Sequence, residues 1–187
     1  MECVSLSDER TIALQIGRKP RGLSGVACRC SYGFPQVVRV HPVVDGEPFP
    51  TLYWLTCPYL ASEIDRLESD GWVGRIEARL ARDRDLSTRY RAAVKAYVKS
   101  RLALLSDADL RYLGGRGMLA SLTQRGIGGI AEPERVKCLH LHAADALASS
   151  NPIGEVVLGM LERRECRSGK AICSTLERVE QIKQINR

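Results

Sequence analysis

Three short strand-like segments, LSGVACRC (23–30), PQVVRVHPVV (35–44) and TLYWLTC (51–57), are separated by turn-forming residues, and directly after Cys57 the apolar spacing changes to a helical period. A strand repeats every two residues and a helix every 3.6, so one segment cannot satisfy both patterns. The switch predicts an α+β fold: a small antiparallel sheet near the N-terminus followed by a helical bundle. Asp45-Gly46 is a hairpin turn signal, although the prolines that follow it suggest a longer loop. The helical period runs through Leu60, Ile64 and Leu67, then Val73, Ile76 and Leu80, then Leu86, Tyr90, Val94, Tyr97 and Leu102. Gly71 suits the end of the first of these helices.

Residues 8–16 fit a short helix opened by Asp8, but Ile12, Leu14 and Ile16 alternate as a strand would. The stretch from Gly114 to Gly129 reads as a flexible, glycine-rich connection. In the helix expected from Pro133, Val136, Leu139, Ala143 and Leu147 form the apolar stripe. Cys138, His142 and Asp145 fall on a neighbouring face and His140 points elsewhere. SNPIGE (150–155) breaks this helix and starts another, through about Arg164. STLERVEQIKQI then begins with a capping-box pattern, Ser174 to Glu177. The expected organisation is one metal-binding domain over residues 1–165 and an amphipathic tail helix over 166–187.

The 187 residues suffice for one domain with a real core, and no apolar run approaches the ~20 residues that span a bilayer. MECVSLSDER lacks the features of a secretory signal, so the expectation is a cytoplasmic protein with no membrane partner. The net charge of +6 is dispersed, and it permits nucleic-acid or phosphate binding without showing it. Arg75, Arg79 and Arg82 share one helix face, either solvated or a contact for a polyanion.

A reducing compartment favours free thiols, metal ligands or redox centres over structural disulfides, so the seven cysteines need another explanation. Cys28 and Cys30 are the tightest pair, and a disulfide across so short a loop would be strained. Cys28, Cys30, Cys57 and Cys138 come from three separate segments that the sheet-to-helix reading allows to converge. Structural zinc sites usually take two close cysteine pairs, and only one is present. An iron–sulfur cluster accepts more dispersed thiols, and the Cys57-Pro58 step occurs in some cluster-binding runs. The pattern leans towards a cluster, with zinc and merely buried thiols as alternatives. His140 or His142 can supply a further ligand or play a structural part. Cys166 and Cys173 flank the basic RSGK segment and read as a mobile thiol pair, and Cys3 as incidental.

GRKPRGLSGVACRCSYGFPQVV, DGEPFPTLYWLTCPYL, ERVKCLHLHAADALA and NPIGE together resemble a bacterial family of proteins of unknown function, number 501, over roughly residues 15–158. Members of that family often read RCPCGLP where this chain has RCSYGFP, so Cys30 matches while Tyr32 replaces a second cysteine. The resemblance implies Cys30, Cys57 and Cys138 as shared thiols with His140 beside them, and so a 4Fe-4S cluster whose fourth iron is open or closed by Cys28. An open iron would act as a Lewis acid or bind sulfur from a thiolated or phosphate-bearing substrate. Catalytic candidates by position are His140, Glu134 and Lys137, with Arg135 as a substrate contact. Gly126, Gly128 and Gly129 offer backbone N–H groups to an anion, or simply a turn with positive φ. The rival expectations are a zinc-stabilised module binding RNA and a protein-interaction module. No Ser-His-Asp order, Walker loop or dinucleotide fingerprint occurs.

Overall fold

The computed structural model of the chain describes residues 3–132 and 134–185; Pro133, expected in a first helical turn, lies outside them. Ser5 caps the first helix, α1 (Leu6–Ile16), and Asp8 returns the bond as the third helical residue, so the helical reading of this segment holds. Asp8 also takes Arg29 in a two-pronged ion pair, which holds its carboxyl well below the usual carboxylate range and ties α1 to the sheet.

The sheet is antiparallel with strand order β1-β2-β5, from β1 (Leu23–Arg29), β2 (Pro35–Val40) and β5 (Tyr53–Leu55). Between β2 and β5, β3 (Val43–Val44) and β4 (Glu47–Pro48) form a separate hairpin. Its turn is Asp45-Gly46, with φ of 53° and 81°; a tight two-residue turn forms where the prolines suggested a longer loop. Along β2 the two-residue period divides the layers: Val37 faces the main core, while Val38 and Val40 pack with Ile12 under α1.

Helices follow as expected: α2 (Pro58–Ser69), α3 (Trp72–Arg82), α4 (Arg84–Leu102), α5 (Asp107–Gly115), α6 (Ala120–Thr123), a 3-10 turn at Ile127–Gly129, α7 (Leu139–Ala148), α8 (Pro152–Met160) and α9 (Ile172–Ile185). The connection expected from Gly114 to Gly129 is therefore partly helical. Gly71, in the left-handed region at φ 79°, stands between α2 and α3. No helix among the described residues is long and apolar enough to cross a membrane.

Helix α7 lies against α2, β5 and α8, and Leu60, Ile64, Ala143, Ala144, Ile153 and Val157 belong to the buried core these elements share. It begins six residues later than the Pro133 start expected from the sequence. Residues 134–138 are instead held by partners on other helices: the N–H of Val136 donates to Glu77 and that of Leu139 to Glu68. Carboxylates from α3 and α2 thus take the amides, and Cys138 becomes an extended cap (φ −157°) rather than part of a helical face with His142 and Asp145. Likewise α9 starts before Ser174, which lies inside the helix, and Glu177 accepts from Thr11 of α1 at 2.7 Å.

Arg101, in the last turn of α4, is fully buried and donates to the carbonyls of Pro50, Leu122, Arg125 and Gly126. One planar guanidinium thereby ties the end of α6 to the loop before the 3-10 turn. Burial pushes its pKa down.

Candidate functional site

The late start of α7 builds a site that the sequence pattern does not contain. Cys138 caps the helix, His140 lies in its first turn, and Glu68 reaches them from the last turn of α2. One donor atom from each residue lies within 4.8 Å of the other two, and all three side chains are half-buried. Glu68 Oε1 is 3.1 Å from His140 Nδ1 and also accepts the Leu139 N–H. On the far side of the ring, Nε2 is 3.2 Å from the Ala61 carbonyl and 3.4 Å from Asp65 Oδ1. Both ring nitrogens therefore face oxygen. The neighbouring Cys138 thiol, ahead of Glu68 and the Ala61 carbonyl, pushes the imidazole pKa up to about 9 against the opposing effect of burial.

The three thiols Cys30, Cys57 and Cys138 do not meet. Cys57 caps the start of α2 whereas Cys138 sits by Glu68 in its last turn, about 16 Å of helix away. The physical reason is the path of residues 134–138, which the carboxylates of Glu77 and Glu68 draw to the other end of α2. Cys28 turns from the proposed ligand set, its thiol directed to Gln36 Oε1 at 3.6 Å and to the Arg29 carbonyl. Burial pushes the Cys28 thiol up.

Cys30 and Cys57 instead line one small cavity with Cys166 and Cys173, the pair expected to be mobile. Burial raises the Cys57 thiol to about 11, although the N–H groups of Tyr59 and Leu60 oppose the shift. Gln15 Nε2 donates to Cys173 Sγ at 3.3 Å.

The remaining candidates are engaged structurally. Glu134 pairs with Arg91, Arg135 with Glu77 at 3.4 Å, and the Lys137 ammonium donates to the Gly128 carbonyl at 3.1 Å. Gly128 is buried at φ 63°, and a Cβ there would lie 2.2 Å from Leu141. The Gly129 N–H is bonded to the Gly126 carbonyl, so this turn spends an amide expected to hold an anion on its own closure. Arg75, Arg79 and Arg82 are exposed on α3; Arg75 stacks on Trp72, and Arg79 faces Asp83 at 3.7 Å.

Sequence reasoning missed Glu68, seventy residues before Cys138, because nothing in its local pattern separates it from a solvated helix residue. It also missed the polar group beneath α7. There the Asn151 amide is 2.9 Å from Asp145 and 3.3 Å from His142 Nδ1, and all three residues are buried. His142 Nε2 has no hydrogen-bond partner.

The family of proteins of unknown function DUF501 matches residues 26–159, which include Glu68, Cys138 and His140 as well as Cys30 and Cys57. The chain belongs to the DUF501 family. No curated protein and no solved structure matches it. The DUF501 match stops short of Cys166 and Cys173, and α1 lies before it.

Proposed function

We propose that the DUF501 domain of this chain is a metal-binding domain whose Glu68, Cys138 and His140 hold one zinc-class divalent ion. The observation that carries the reading is the convergence of a carboxylate, a thiol and an imidazole within 4.8 Å. Three protein ligands of these types are what a catalytic zinc site uses, its fourth position being left for water or substrate. The surroundings match the needs of such ligands. With Nδ1 beside Glu68, Nε2–H is free to donate to the Ala61 carbonyl, and a bond of this kind from the outer ring nitrogen fixes the orientation of a ligating imidazole. Glu68 is oriented in turn by the Leu139 N–H.

Half-burial leaves the site open to a small substrate, and an ion there would lower the pKa of bound water. The chemistry supported is metal-assisted hydrolysis or polarisation of a carbonyl or phosphoryl group. Without an ion, the same residues form an ion pair of His140 with Glu68.

Cobalt(II) titration of the full chain separates the two. The expected result is one equivalent bound, with a sulfur-to-cobalt charge-transfer band that Cys138→Ser abolishes and Glu68→Gln weakens. Absence of any cobalt spectrum in the correctly folded protein would leave the ion pair as the whole function of these residues.

A further inference from the structure

Four of the seven cysteines gather away from the Glu68 site. Cys30 follows β1, Cys57 caps α2, Cys166 lies in the turn after α8, and Cys173 is in the first turn of α9. All four line one small cavity, walled further by Phe34, Pro35, Pro58 and Ile172. We propose that this chamber is a four-thiolate centre that holds an iron–sulfur cluster.

Ligand type and count come first. Four cysteines are the full complement of a cluster, and here they come from separate segments that only the tertiary fold brings together. Spacing decides between a cluster and a single ion. Among the described residues, only Glu68, Cys138 and His140 form a metal-capable group with all donor atoms within 4.8 Å, so no three of the chamber sulfurs are that close. A zinc ion with Zn–S bonds of ~2.3 Å requires its sulfurs ~3.8 Å apart in a tetrahedron. A cluster carries its thiolates on different irons and takes them at wider spacing.

Burial raises the Cys57 and Cys173 thiols, and donors beside each offset part of that effect. The N–H groups of Tyr59 and Leu60 at the start of α2 favour the charged form of Cys57, and the Gln15 amide donates to Cys173 Sγ. Donors of this kind to ligating sulfur are a protein's means of stabilising and tuning a cluster, and apolar walls limit water around it.

The chamber is also fastened shut. Ser31 N–H donates to Glu165, Tyr32 Oη to the Arg167 carbonyl, and Gln36 to the Arg164 carbonyl, at 2.8, 2.9 and 2.9 Å. These bonds hold the Cys166 turn over Cys30. Tyr32 is thus a clamp that holds the segment carrying Cys166 against the chamber. Cys166 and Cys173 follow the family match, so the centre is a property of this chain as a whole.

The test is anaerobic reconstitution of the full chain with equal amounts of ferric and ferrous iron and with sulfide, which balances an oxidised 4Fe-4S core, followed by iron and sulfide analysis, visible absorption, and electron paramagnetic resonance after reduction. The expected load is about four iron and about four sulfide per chain. Cys166 is half-buried in a turn, so Cys166→Ser keeps the fold by circular dichroism, and it loses more than half of the load. Cys173→Ser does the same. Cys138→Ser retains the full load, which separates this centre from the Glu68 site and its cobalt spectrum. Colourless protein, zinc bound without sulfide, or an unchanged load in the Cys166→Ser, Cys173→Ser double variant would each overturn the proposal.

Discussion

Gly154 meets the backbone of His142 so closely that a Cβ on the glycine would stand 1.9 Å from the His142 carbonyl oxygen. The same atom would lie 2.6 Å from the Ala146 Cβ. This contact sets the separation of α7 and α8, which in turn fixes the helix that begins at Cys138. Gly154→Ala must push the two helices apart, because backbone cannot yield as a flexible side chain can. The expected cost is about 3 kcal/mol or more in urea unfolding. A variant within about 0.5 kcal/mol of the parent, as ordinary surface substitutions are, would show that the helices slide freely.

Arg101 is expected to be the most sensitive charged residue. Arg101→Lys keeps the charge but reaches fewer of the four carbonyls, and Arg101→Met leaves all of them unpaired. Each should destabilise by about 3 kcal/mol or more, with Met no better than Lys. Thermal melts of the two variants against the parent check this.

Asp145 and His142 predict opposing pH effects. Burial raises Asp145 from 3.8 to about 7, so between these values the native state binds more protons than the unfolded chain and stability falls as pH rises. Burial lowers His142 from 6.5 to about 4, so there the unfolded chain binds more protons and stability rises with pH. The slopes largely cancel between about pH 4 and about pH 6.5. Asp145→Asn should expose the histidine slope of about 1.4 kcal/mol per pH unit. Urea unfolding at both ends of that window, in the parent and the variant, measures it; parallel profiles would contradict the assignment.

In metal-free protein, His140 should hold its proton up to about pH 9. The folded state keeps this proton better than the unfolded chain, so the associated stability is present below about 6.5 and is lost as pH rises through about 9. The Cys138 thiol is the largest cause, so Cys138→Ala should move the midpoint down towards the ordinary histidine value. A proton NMR titration of the ring resonances follows this, and an unmoved midpoint would assign the effect to Glu68 instead.

The sheet, its hairpin turn and most of the helices were legible because each rests on a local period or a turn residue, as at Asp45-Gly46 or Leu60–Ile64–Leu67. The start of α7 was not. ERVKC has adequate helix propensity, yet it stays outside the helix, with the Val136 and Leu139 amides taken by the distant carboxylates of Glu77 and Glu68. That single override moved Cys138 from one end of α2 to the other and removed it from the thiol set expected with Cys30 and Cys57. Cys166 and Cys173 were misplaced for a related reason: the bonds from Ser31, Tyr32 and Gln36 that fasten their segment cross more than 120 residues of sequence.

Helices α1 and α9, both outside the family match, pack on each other through Thr11 and Glu177 and roof the thiol chamber through Gln15. A fragment trimmed to residues 26–159 would keep Glu68, Cys138 and His140 yet lay Cys30 and Cys57 bare to oxidants. Expression work on the minimal domain would then describe one half of the molecule's sulfur chemistry while destroying the other.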